Sequence, residues 1–207
     1  MSPDAPPAVG AKRSFPPIVD GRSRVLILGT LPGEESLRRR EYYAHPRNLF
    51  WPIVCALFGE VPPAGYGDRL SYVASRQIAL WDVCASAERA ASADASIRGE
   101  VPNAIDELIA SHPLIRAIAF NGSGAQRLYD RHFARHRGLA YLALPSTSPA
   151  YASLGFAEKL ARWSKLREVL PGRIIPKSNC IERSDNELDL NPLSRRKPGP
   201  TNPRSSC

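Results

Sequence analysis

Four short apolar runs, at residues 25–28, 78–81, 115–120 and 141–144, constrain this chain more than any other feature. Each is nearly continuous in apolar residues and does not alternate with polar ones, the pattern of a strand buried on both faces. Segments of helical period lie between and after them. These carry Phe50, Ile53, Val54 and Leu57; then Ile105, Leu108 and Ile109; then Leu128, Tyr129 and Phe133; and finally Phe156, Leu160, Trp163, Leu166 and Leu170. Parallel strands need long crossovers, and a helical crossover packs back onto the sheet. The alternation therefore predicts an α/β fold of three layers, α/β/α, with a central four-stranded parallel sheet. No internal repeat interrupts it, and 207 residues suit one domain of ordinary size. The two ends differ from this middle. Residues 1–14 hold three prolines and little apolar content, and residues 171–207 are basic and proline-rich with no hydrophobic period. Both are expected to be disordered, which leaves residues 15–170 as the folded domain.

Open α/β sheets bind ligands beyond the carboxyl ends of their strands. Here those ends deliver Gly29 and Thr30 after the first run, Asp82 after the second, Asn121 after the third, and Pro145 to Ser148 after the fourth. The first connection, LGTLPGEESLRRREYYAHPRNLFW over residues 28–51, is the richest in chemistry. Tyr42 and Tyr43 can stack on a base, and Arg38, Arg39, Arg40 and Arg47 can neutralise phosphates. Asn48 is an uncharged donor and acceptor that can hold a water or read a base edge. A site that binds a nucleotide and acts on its base needs this set.

The ordered motifs GTLPG, YYAHPRNLFW, LWDVCAS, FNGSGA and LPSTSPAYA, spread over residues 15–170, resemble the uracil-DNA glycosylase superfamily. Within it the resemblance is to the hypoxanthine-DNA glycosylase branch, the DNA-deoxyinosine glycosylases. It implies a uracil-DNA glycosylase-like fold and a monofunctional enzyme of base excision repair, monomeric and needing no cofactor or metal. Its partner would be double-stranded DNA containing a deaminated base, chiefly hypoxanthine, which is flipped out of the duplex and released by hydrolysis of the N-glycosidic bond.

The resemblance also implies roles for individual residues. Asn48 would position the water that attacks the sugar. A neutral amide is too weak a base to do more than orient and hydrogen-bond, and asparagine equally caps a helix beginning at Leu49. Tyr43 would offer its ring face to the flipped base while Tyr42 packs inward. His45 would touch a phosphate, orient the loop or cap it. Asp82 would accept a ring N–H of the base or else cap the following segment, and Asn121 would contact the base or serve as a turn residue. Gly29 and Thr30 complete the base site. Arg47 and the hydroxyls of Ser146, Thr147 and Ser148 are expected at the DNA backbone, with Tyr151 the largest candidate to fill the vacated stack; the alternative is an ordinary Ser/Pro turn. In one respect the chain departs from several superfamily members. Thr30 and Leu31 stand in the Gly-x-x-Pro turn where those carry Asp or Asn, which places the water on Asn48 and argues against strong uracil release.

Charge and cysteine usage agree with this reading without compelling it. The formal charge is +8, but residues 15–170 hold 19 Lys+Arg against 15 Asp+Glu, so much of the excess lies at the ends. No apolar run reaches the roughly 18 residues of a membrane span and no signal-peptide core is present, so a cytoplasmic protein is expected. Cys55, Cys84, Cys180 and Cys207 are far apart with no C-x-x-C pair, so neither a zinc ribbon nor the four-cysteine cluster of some relatives is expected. His132 and His136, spaced as on one helix face, lack the glutamate of a zincin. The motif segments contain no lysine, so strand cleavage through an amine nucleophile is not expected. Two further readings stand beside this one: release of uracil or other damaged bases on the same fold, and a non-catalytic module that binds damaged DNA. A nucleotide-binding α/β protein would need a G-x-G-x-x-G or a Walker A lysine, and neither is present.

Overall fold

Residues 11–88 and 97–170 are described by the structure, a computed structural model. In chain order the elements are β1 (Lys12–Arg13), β2 (Val25–Gly29), α1 (Glu34–Arg39), α2 (Phe50–Ala56), α3 (Tyr66–Ser75), β3 (Ile78–Asp82), β4 (Cys84–Glu88) and β5 (Arg98–Pro102). Then follow α4 (Ile105–Ser111), β6 (Ala117–Asn121), α5 (Ser123–His132), β7 (Ala140–Leu144), α6 (Phe156–Trp163) and α7 (Leu166–Val169). The four apolar runs become one parallel sheet in the order β3-β2-β6-β7.

Burial on both faces explains why these strands read as continuous apolar runs. Val25 and Ile27 of β2 face a core with Phe50, Trp51 and Ile53 of α2, Val73 of α3 and Trp163 of α6. Leu26 and Leu28 face the opposite core, with Ile105 and Leu108 of α4 and Leu128 and Tyr129 of α5. Successive side chains of a strand point to opposite faces, so every residue of β2 is buried, and the architecture is the expected three layers.

A second, antiparallel sheet in the order β1-β4-β5 was not expected from the sequence. Strand β4, CASAE, holds small residues, and its pairing with β5 shifts register twice, so no clean alternation marks it. It continues β3 across Val83, whose N–H donates to the Gly29 carbonyl while that of Cys84 donates to Thr30. Lys12 and Arg13, read above as part of the disordered start, pair with Ala87 and Ser86 of β4. The Ser14 N–H donates to the Ala85 carbonyl. The folded part therefore reaches at least to Lys12, before the expected boundary. Helices α1 and α3 were also not anticipated. Residues 1–10 and 171–207, with Cys180 and Cys207, lie outside the described residues. Among the described residues no helix is long and apolar enough to cross a membrane.

Candidate active site

Sheet register sets Gly29 of β2 beside Asp82 of β3 and Asn121 of β6 beside Leu144 of β7, so the strand ends form one edge. Beyond it lies a cavity lined by Gly29, Thr30, Tyr43, His45, Asn48, Asp82, Asn121, Ser146, Thr147 and Ser148. Two expected site residues, Arg47 and Tyr151, do not line it. Arg47 is exposed, and Tyr151 lies in a neighbouring depression with Arg127 and Arg162. Glu34, Glu35 and Ser36 of α1 do line it, although the sequence pointed to none of them.

Asp82 is only 4 % exposed and leans over the end of β2. A Cβ on residue 29 would come within 2.5 Å of Asp82 Oδ1, so only glycine there lets the carboxylate take this position. Asp82 Oδ2 accepts the Ser14 hydroxyl at 3.1 Å. Ser14 was missed because its partner is 68 residues away and no local pattern marks it. Asn103 Nδ2 donates to the Asp82 backbone carbonyl, which ties the segment after β5 to the end of β3.

Tyr43 stacks one ring face on Phe50, with centroids 3.8 Å apart and planes within 15°, so that face is taken by the protein itself. The residue takes the left-handed conformation at φ 56, uncommon for an aromatic residue. Its hydroxyl is buried without a hydrogen-bond partner. Burial, reinforced by the Asp82 charge, pushes its pKa far above the ordinary range, so it stays protonated. Tyr42 packs inward at 3 % exposure, and its carbonyl accepts the Trp51 indole N–H.

Asn48 Oδ1 accepts the Phe50 N–H at 2.9 Å, at the entrance to α2. A backbone N–H can only donate, so this bond fixes which end of the amide is oxygen and leaves the NH2 end for a ligand or water. The helix begins at Phe50 with Leu49 as its N-cap, so Asn48 is not the cap; its amide closes a turn just before α2, and that bond orients a polar group that lines the cavity. His45 Nδ1 accepts the Arg47 N–H at 3.1 Å and the His45 carbonyl accepts that of Asn48, so His45 orients this loop.

Thr147, expected at the DNA backbone, is instead fully buried. Its hydroxyl accepts from Asn121 Nδ2 and its N–H donates to Asn121 Oδ1, both at 2.9 Å. Its carbonyl accepts the Leu49 N–H at 3.0 Å. One residue thus ties together the loops after β2, β6 and β7, and the amide of Asn121 is engaged in that tie. Gly122, at φ 101, sits under Ser146, where a Cβ would approach Ser146 Cβ to 2.8 Å. Ser146 and Ser148 are half-buried, and their hydroxyls accept the N–H groups of Ser148 and Ala150. The loop is thus a hydroxyl-rich turn bordering the cavity.

Around the rim, Arg38 and Arg39 both bond to Glu35, and these guanidinium groups, Arg38 first, hold its carboxyl down at about 2. Arg40 and Arg47 are exposed and make no ion pair among the described residues. His132 and His136 do not share a helix face: α5 ends at His132, whose ring faces Glu100, while His136 Nε2 pairs with Asp106 at 2.8 Å. Among the described residues no group of His, Cys, Asp or Glu could hold a metal ion. Cys55 and Cys84 are buried and unbridged.

The sequence model of the Uracil DNA glycosylase superfamily matches residues 16–167. A hypoxanthine DNA glycosylase of Methanosarcina acetivorans is 37% identical over 142 residues, 67% of this chain and 87% of the relative. One of Methanosarcina barkeri is 37% identical over 112 residues, 54% of this chain and 71% of the relative. Among solved structures, the solution NMR structure of a candidate uracil DNA glycosylase from Methanosarcina acetivorans is similar at a TM-score of 0.65 and 34% identity, over 76% of this chain and 99% of the other. With its parallel sheet, its cavity at the strand ends and a match over most of its length, the chain belongs to the uracil DNA glycosylase superfamily.

Proposed function

We propose that the protein is a monofunctional DNA glycosylase that hydrolyses the N-glycosidic bond of deaminated bases, chiefly hypoxanthine, in duplex DNA. The observation that carries this reading is the meeting of Asn48, Tyr43 and Asp82 in one cavity at the sheet edge. The relatives named hypoxanthine DNA glycosylase support the choice of base. The flipped base stacks on the face of Tyr43 opposite Phe50, and Asp82 accepts a ring N–H while rejecting an edge that offers only acceptors. Cleavage develops positive charge on the sugar and negative charge on the departing base. Asn48, held by its bond to Phe50, orients the attacking water without acting as a base. No lysine lines the cavity among the described residues, which favours hydrolysis over Schiff-base chemistry.

Incubating purified protein with duplexes containing hypoxanthine, uracil or xanthine, then treating with alkali, tests this. Fastest cleavage at hypoxanthine is expected. Release of uracil at the higher rate would move the substrate to the second reading, in which the structural relative's description as a candidate uracil DNA glycosylase already has weight.

A further inference from the structure

Lys159 of α6 is 2 % exposed, which is rare for a lysine without a partner carboxylate, and none pairs with it among the described residues. Its ammonium donates to the Tyr151 carbonyl at 2.7 Å and lies 5.2 Å from the centroid of the Tyr151 ring. Burying an ammonium on one carbonyl is costly, and an apolar side chain of the same length would pack this face more cheaply. Burial accordingly pushes its pKa down. One helical turn on, at the i+4 position on the same face, Trp163 Nε1 donates to the Pro145 carbonyl at 2.9 Å. Helix α6 therefore grips the loop after β7 at both ends, Pro145 through Trp163 and Tyr151 through Lys159. Between the two grips lie Ser146 to Pro149, which border the cavity. At the far grip, outside the cavity, Tyr151 is 39 % exposed.

We infer that Lys159 is a positioning residue that holds Tyr151 as the wedge entering the duplex where the extruded base has left a gap. This rests on the glycosylase reading above. Side chains that unstack a duplex must meet it in a set orientation. A cation under the ring and a hydrogen bond to its carbonyl fix both the ring and the backbone that carries it.

The test compares wild type, Lys159→Met, Tyr151→Ala and the double variant. Excision of hypoxanthine is followed from duplex and from single-stranded DNA, which has no stack to fill. Fluorescence of a duplex carrying 2-aminopurine reports unstacking on binding without needing cleavage. Methionine keeps the stem and removes the charge, so Lys159→Met is expected to melt at or above the wild-type temperature. Its duplex-to-single-strand excision ratio should fall about tenfold, the scale of one lost base–aromatic stack. Its 2-aminopurine signal should weaken, and the double variant should fall no further than Tyr151→Ala. Equal loss on both substrates, or losses that add in the double variant, would overturn the role of Lys159. If the wild type released no base from either DNA, the glycosylase reading would fail, and the fluorescence would decide alone: equal signals from wild type and Lys159→Met would overturn the wedge as well.

Discussion

On the proposed function Asn48 does two jobs with one amide, and they can be separated. Asn48→Ala removes both, so hypoxanthine release should fall roughly 100-fold or more, while loss of the turn bond to Phe50 costs about 0.5 to 1.5 kcal/mol of stability. Asn48→Ser keeps an oxygen for the Phe50 N–H but loses the NH2, so it should melt near wild type and still be slow. Single-turnover excision and thermal melts check both; a serine variant at full rate would leave only the structural role. Tyr43 separates differently, because its hydroxyl is buried without a partner. Tyr43→Phe should excise at nearly the wild-type rate and melt no lower, since it removes an unsatisfied polar group. Tyr43→Ala should lose about 1 to 3 kcal/mol of base binding or excision. Equal damage from both changes would mean that the hydroxyl, and not the ring face, matters.

At the scale of elements, α1 carries a charge arrangement that blunts its own arginine run. Glu35 is held at about 2 against an ordinary 4.5 by Arg38 and Arg39. A lowered carboxylate contributes its stabilisation fully above pH 4.5 and loses it as pH falls towards 2. At the surface water screens the pair, so the effect is read by NMR titration of the Glu35 carboxyl and not by global melting. Glu35→Gln should release both guanidinium groups and steepen the salt dependence of DNA binding by about 1 to 2 in logarithmic slope. An unchanged slope would place Arg38 and Arg39 away from DNA. The sequence shows these residues as a basic run and hides the pairing, since Glu35 reaches Arg38 and Arg39 only once the segment is helical. The four parallel strands were legible because burial on both faces leaves an unbroken apolar signature. The second sheet was not, because β1 is two residues long and β4 is small and bulged. In the site, residues at strand ends were legible from position alone. The tie through Thr147 was not, because Asn121 lies 26 residues from it and a threonine in a Ser/Pro turn looks solvent-facing.

For the molecule as a whole, the proposed chemistry makes a prediction about its product. The DNA strand should remain intact until alkali is added, and the rate should survive a chelator. Nicking without alkali, seen on a denaturing gel, would require an amine nucleophile that the cavity lining does not supply among the described residues. The knot at Thr147 bears on where selectivity comes from. Three loops joined through one buried residue form a receptacle whose walls are braced by the protein's own bonds. A receptacle of this kind has little reorganisation left to exchange for discrimination, so much of the sorting passes to the double helix itself. Bases that leave their stack at small cost are presented often, and those in sound pairs seldom. On the proposed function, a mispaired or weakly paired lesion would then be favoured by how frequently it visits the pocket, before any contact inside has been made.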